Sequence, residues 1–148
     1  MSSKEIKILV FTINGDYYAT DIMEVERILG FEVPTKLPDA PGFVEGVINH
    51  EGSILPIINL SDKFNLSKTI KNDSKIIVAR QEIGKLGIIV DSVSEVIDVS
   101  EDIIEVPPEV ISGVSRRYIK GLVKNNDRIV ILLNFVAILT EDEKQMLL

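Results

Sequence analysis

The sequence predicts a mainly β chain of two small barrel-like lobes, and three observations carry that prediction. Residues 43–60 (FVEGVINHEGSILPIINL) and 118–135 (YIKGLVKNNDRIVILLNF) repeat one pattern without a gap. Phe43 and Tyr118, Gly46 and Gly121, Ile54 and Ile129, Asn59 and Asn134 each stand 75 residues apart, and the register persists to Phe64 and Leu139. A second echo, at an offset of 68, sets Ile22, Val25 and Ile28 of DIMEVERI against Val90, Val93 and Val96 of VDSVSEV. Most other runs are rich in β-forming residues: ILVF at 8–11, KIIVAR at 75–80 and GIIVDSV at 87–93. Each half then holds about five short strands, too few for an open sheet to cover both faces, whereas a small antiparallel barrel removes the exposed edges.

Along the chain, ILVF opens the first strand, and the polar Asn14-Gly15-Asp16 interrupts the apolar stretch. DIMEVERI follows. Its apolar spacing of three and three is neither strand alternation nor a full helical stripe, which predicts an irregular strand, broken by a bulge or a single turn, in both copies. Residues 43–60 are an apolar run, a turn at Asn49 to Gly52 and a second β-rich run; residues 118–135 do the same around Asn125 to Asp127, so both are hairpins. A short helical tail follows each, LSDKF and FVAIL. The polar NLSKTIKNDS, 65–74, links the lobes, giving a single domain over 1–148 with lobes at 6–66 and 75–148. Gly84 and Gly87 flank Lys85-Leu86 in a tight hairpin. Thr140-Glu141-Asp142-Glu143 has capping-box spacing and MLL an apolar end, which predicts a short C-terminal helix lying across a lobe.

Composition removes several functions. The 148 residues, 45% hydrophobic and 26% charged, suffice for one compact domain or two small lobes sharing a core. With 23 acidic against 16 basic residues the charge is −7, and like charges come only as pairs and triplets such as Arg116-Arg117. That field repels a phosphate backbone, so nucleic acid is not expected as a partner. Cysteine is absent, which excludes disulfides and thiol chemistry and suits a reducing compartment. The N-terminus has about six apolar residues before Asn14, against roughly 7–15 for a secretion signal and about 20 for a membrane span. A cytoplasmic location without membrane insertion is expected.

Catalysis needs a nucleophile with a base, a metal cluster or a phosphate cradle. His50 is the one histidine, and beside Glu51 at a predicted turn it reads as a surface turn residue. Asp21 and Asp91, near equivalent positions of the two halves, would have to serve as general acid and base; solvation of strand ends is the plainer role. Gly84 and Gly87 lack the following helix that a phosphate loop requires. Aromatics make up 5%, with no tryptophan, which gives no stacking platform. No metal, cofactor or enzymatic activity is expected. The competing reading is a small β-barrel ligand-binding regulator or enzyme using acidic residues near the seam of the lobes.

FTINGDYYATDIMEVERI, LPDAPGFVEGVIN, ILPIINL, GIIVDSVSEV and YIKGLVKNNDRIVILLN, in this order and spacing, closely resemble the CheW family of bacterial chemotaxis coupling (adaptor) proteins over nearly the whole chain. The joint occurrence of these motifs is what makes the likeness specific. The resemblance implies two five-stranded barrels of Src-homology-three (SH3)-like type about a shared hydrophobic core. It also implies a non-enzymatic scaffold bridging the cytoplasmic tips of chemoreceptors (methyl-accepting chemotaxis proteins) to the regulatory domain of the histidine kinase CheA, recruited to membrane-associated receptor arrays. For receptor binding it implies an apolar groove between the lobes, matched here by Leu9, Ile22, Val25, Ile28 and Val93. An amphipathic receptor helix would lay its apolar face there. At each single position, packing in the core is the alternative role.

Two departures from the family pattern stand out. Where the family reads Asn-Leu-Arg-Gly this chain has Asn49-His50-Glu51-Gly52, and where it reads Val-x-Glu-Ile this chain has Val25-Glu26-Arg27-Ile28. The charges reverse in opposite directions. Exchange of a facing pair, Arg27 with Glu51, at a partner-binding surface would produce this, as would unrelated surface drift.

Overall fold

The computed structural model describes residues 4–64, 66, 70, 73–82, 84–108 and 117–148. The solid apolar runs of the sequence are central strands with both faces covered. In β1 (Glu5–Ile13), Ile8 and Val10 point into a core of their own sheet, while Leu9, Phe11 and Ile13 point into a second core shared with the other sheet. Two buried faces remove the polar alternation of a half-exposed strand. β1 turns into β2 (Asp16–Asp21) through Asn14 and Gly15, both at positive φ (55° and 85°), the two-residue loop that matches strand twist.

A 3-10 turn, Ile22–Glu24, follows, capped by the Asp21 carboxylate accepting from the Met23 N–H. The chain continues as β3 (Val25–Gly30), the hairpin β4 (Val44–His50) and β5 (Ser53–Asn59), and the helix α1 (Leu60–Lys63). The second half repeats the plan with β6 (Lys75–Arg80), β7 (Lys85–Val90), β8 (Ser92–Ser100), β9 (Ile119–Asn125) and β10 (Arg128–Leu133). It ends in α2 (Glu141–Leu147).

These strands form two five-stranded sheets, in the orders β8-β1-β2-β10-β9 and β3-β6-β7-β5-β4. Ile8, Val10, Ala19, Val99, Val123, Val130 and Leu132 fill the first, and Ile48, Leu55, Ile57, Ile76, Val78 and Ile89 the second. The shared core between them draws on both, with Leu9, Phe11 and Tyr18 against Ile58, Ile77, Ile88 and Val90. The mainly β, two-lobed fold with a common core is thus present.

Its division along the chain differs from the expected lobes 6–66 and 75–148. Each half contributes its first two strands to one sheet and its last three to the other. β3 leaves the sheet of β2 and pairs with β6; β8 leaves the sheet of β7 and pairs with β1. Two parallel pairs, β2 with β10 and β5 with β7, seal the exchange, so neither sheet is antiparallel throughout. Both sequence offsets meet in these ladders: Leu132 stands opposite Ala19 as Ile57 stands opposite Gly87, and Leu9 opposite Val96 as Ile77 opposite Ile28. Of the expected link 65–74, Leu66, Ile70, Asp73 and Ser74 are described, with Leu66 packed on the shared core; the remainder lies outside the described residues.

The repeated glycine has a structural cause. Thr35 bridges to Val47 on the outer edge of β4, and Glu105 to Leu122 on the outer edge of β9. A Cβ on Gly46, which sits at φ +139°, would lie 2.1 Å from the Thr35 carbonyl oxygen; one on Gly121 would lie 2.4 Å from Ile104 Cγ2. The missing side chain lets a capping segment close each exposed edge. The asparagine is explained in the first copy, where Asn59 Oδ1 accepts the Ser61 N–H at 2.8 Å and caps α1; Asn134 makes no such cap among the described residues, and the two share only the backbone bond to Phe43 and Tyr118 at 2.7 Å.

α2 carries the expected capping box: Glu143 N–H donates to Thr140 Oγ1 at 3.1 Å, and Thr140 N–H to the Glu143 carboxylate at 2.8 Å. The Lys63 ammonium, its side chain only 5% exposed, meets that carboxylate at 2.9 Å and lies 4.2 Å from the centre of the Phe43 ring. The helix from the end of the chain is thereby tied to α1 of the first half. Among the described residues, no helix is long and apolar enough to cross a membrane.

Candidate functional site

The seam between the lobes is edged by β3 on one side and β8 on the other. Both are bulged, as their apolar spacing predicts. The register of β3 against β6 slips between Val25 and Arg27, and that of β8 against β1 between Glu95 and Val93, at equivalent positions of the two copies. The bulge makes Glu26 the extra residue in β3 and Ser94 the extra residue in β8, and brings Val25 and Val93 against the shared core.

The five expected groove residues separate here. Ile22, Val25 and Val93 are half-buried and packed against the shared core. Ile28 is 41% exposed, opposite the buried Ile77, and so lies at the rim of the face turned to the other lobe. Leu9 corrects the set. It is 2% exposed because β1 has neighbours on both sides and its Leu9 face is covered by the second lobe, so it is a core residue. Its partner across the ladder, Val96, is 50% exposed and is the counterpart of Ile28 at the 68-residue offset. That offset was the signal for Val96, whose place on β8 matches that of Ile28 on β3.

Around β3 lies a cluster of charges. Arg27 Nη1 meets Glu51 Oε1 at 2.9 Å, both side chains half exposed. Glu51 and Gly52 form the β4–β5 turn, both at positive φ (52° and 80°). Glu26 pairs with Lys85 at 2.8 Å. The Lys85 hydrogen bond holds the Glu26 carboxyl below the usual carboxylate range, against the opposing effect of desolvation and with help from Lys85, Arg80 and His50 charge. Arg80, which the sequence did not single out, donates to the carbonyls of Met23 at 3.0 Å and Val25 at 2.9 Å, pinning the 3-10 turn and the start of β3.

His50 overturns its reading as a surface turn residue. It is the last residue of β4 and only 8% exposed. Its Nε2 stands 4.0 Å from Glu26 Oε2, and neither atom has a hydrogen-bond partner among the described residues. Asp21 and Asp91 do not assemble an acid–base pair: Asp21 caps the 3-10 turn, and Asp91 accepts the Asn14 N–H at 2.6 Å. No three metal-ligating side chains come together among the described residues.

Comparison with known proteins agrees with this geometry. Residues 7–143 match the CheW-like domain. The chain belongs to the CheW-like family. Its curated relatives include the chemotaxis protein CheW of Treponema pallidum, 32% identical with 99% of this chain and 89% of that one aligned. Another is the chemotaxis protein CheW of Thermotoga maritima, 33% identical over 93% of this chain and 90% of that one. Among solved structures, the scaffolding protein TtCheW of Thermoanaerobacter tengcongensis superposes with a TM-score of 0.87 at 32% identity, covering 98% of this chain and 95% of that chain. The CheW-like assignment accounts for the two-lobed β fold in full.

Proposed function

We propose that this CheW-like chain is a non-enzymatic scaffold of bacterial chemotaxis, joining the cytoplasmic tips of chemoreceptors to the regulatory domain of CheA inside the cell, at membrane-associated arrays. The observation that supports the reading is that each lobe ends in a bulged edge strand with aliphatic side chains at the margin of the shared core: Ile22 in the turn before β3 and Val25 on β3, and Val93 on β8, with Ile28 and Val96 exposed further along the same two strands. Such side chains suit the apolar face of an amphipathic helix, since burial of aliphatic surface supplies about 25 cal/mol per Å². The relatives named as chemotaxis proteins, and the structural neighbour named as a scaffolding protein, support the same assignment. The acidic groups that an enzyme would use are engaged as caps and ion pairs.

Calorimetric titration with a helical-hairpin fragment of a chemoreceptor tip, and separately with the CheA regulatory domain, tests the proposal. Binding to both is the expected result. Failure to bind either fragment rejects the coupling role.

A further inference from the structure

The Arg27–Glu51 contact has a counterpart in the other lobe. At the 68-residue offset Arg27 corresponds to Glu95, which follows the bulge of β8 as Arg27 follows that of β3. The Glu95 carboxylate accepts a hydrogen bond from the Arg128 Nη2 group, and Arg128 is the first residue of β10, directly after the Asn126-Asp127 turn. Both lobes therefore join the bulge of a seam strand to the turn of the far hairpin by one ion pair. The polarity is inverted: the cation is on the bulge in one lobe and on the hairpin in the other.

The contact spans the sheet. In the order β8-β1-β2-β10-β9, β8 and β10 are three places apart. At ~4.8 Å per strand a flat sheet would hold them about 14 Å apart. The ion pair forms because the sheet curls, and it fixes where the edge strand lies. Arg128 is held on a second side, its guanidinium 4.3 Å from the centre of the Tyr17 ring on β2. With only 23% of its side chain exposed it is the more enclosed partner, and its charge is matched by Glu95.

Glu95 stands between Val93 and Val96, the two apolar residues that β8 brings to the seam. We propose that Glu95 and Arg128 are positioning residues for the β8 wall of the receptor groove, holding Val93 and Val96 at the angle that a receptor helix meets. The inference rests on the groove reading above. Neither side chain need touch the receptor. Reversing one charge sets two like charges together at the bulge, frees β8 to shift and misaligns that wall, while the shared core beneath is untouched.

The test is calorimetric titration of the full chain with the receptor-tip fragment, comparing Glu95→Arg, Arg128→Glu and the double reversal. Each single reversal is expected to weaken tip binding about tenfold, equivalent to about 1.4 kcal/mol. The double reversal is expected to restore most of it, and binding to the CheA regulatory domain should stay within about twofold throughout. A purely structural role would lower the melting temperature without that selective loss and rescue. Singles that bind the tip as the parent does, or a double variant with additive loss, overturn the proposal. Should Arg128→Glu fail to fold, Arg128→Gln keeps the stem over Tyr17 and removes the charge; its expected result is weaker tip binding with a cooperative melt, and unchanged binding again overturns the proposal. Val25→Asp, on the opposite wall, separates the two levels. If it leaves tip binding intact, the groove reading fails; if it abolishes binding while Glu95→Arg does not, only the positioning role fails.

Discussion

Arg27 on β3 and Glu51 in the β4–β5 turn meet at 2.9 Å, although their strands are not neighbours in the sheet. The two side chains carry opposite charges, with signs the reverse of those the family resemblance implies. Exposed ion pairs contribute only ~0.2–1 kcal/mol, so Arg27→Glu and Glu51→Arg should each shift stability within that range. Each is expected to weaken binding to the receptor tip or to CheA, and the double reversal to recover much of the loss. A double-mutant cycle by calorimetry checks this; strictly additive effects would show that the pair is not a unit.

Ile22→Asp and Val25→Asp should weaken receptor binding more than CheA binding. Both side chains are half-buried, so a carboxylate remains hydrated in the free protein but becomes desolvated and unpaired against an apolar helix. Cooperative denaturant melts beside titrations with each fragment decide it. Equal loss towards both partners, or unfolding, would assign these residues to the core instead.

His50→Leu should stabilise the chain. It places the family's residue where a buried imidazole now leaves Nε2 without a hydrogen bond, and an unpaired buried polar group costs about 1–3 kcal/mol. The chemical denaturation midpoint should rise at pH 8. A fall would mean that the imidazole supports Glu26.

Gly46→Ala should destabilise by about 1–3 kcal/mol and Gly121→Ala by less. The added carbon at Gly46 meets backbone at 2.1 Å and requires a φ of +139°, whereas at Gly121 the nearest contact is the Ile104 side chain and no positive φ is involved. Thermal melts rank the two, and the reverse order would contradict the edge-closing role given to Gly46.

Acid should loosen α2 as Glu143 protonates. Burial opposes ionisation of Glu143, but the Thr140 N–H and the Lys63 ammonium outweigh it and hold its pKa below that of the unfolded chain. Its stabilisation is therefore complete above the unfolded value of about 4.3 and disappears as pH falls through the lower folded value. Glu143→Gln should be less stable than the parent at pH 7, leaving the enclosed Lys63 without its anion, and the gap should close as pH falls through the lowered folded value. Melting temperatures from pH 7 to 3 measure it; parallel curves would remove Glu143 from the account.

The two offsets in the sequence carried most of the fold, because each marks a recurring unit: 75 for the hairpins, 68 for the bulged edge strands β3 and β8. What they did not reveal is the exchange of strands. Both copies exchange alike, so every internal spacing is the same whether β3 and β8 stay home or cross. Leu9 was misplaced for a related reason: its apolar run reads the same whichever lobe covers it, and only the second lobe over its outer face makes it core. His50 was missed because β4 runs further than the turn residues suggest. Arg27 with Glu51 was legible as inverted charge against a family pattern, whereas Glu95 with Arg128 needed the curl of the sheet to bring distant strands together.

A single residue, Asp91, lies between the end of β7 in one lobe and the start of β8 in the other, and three, Ile22–Glu24, join β2 to β3. One residue reaches at most ~3.6 Å, so these two tethers leave no slack for the lobes to hinge apart without peeling β3 from β6 or β8 from β1. The two lobes are consequently held close together at both crossings. A displacement of β3 or β8 is therefore carried by its short connection straight into the other lobe, from which that strand departed.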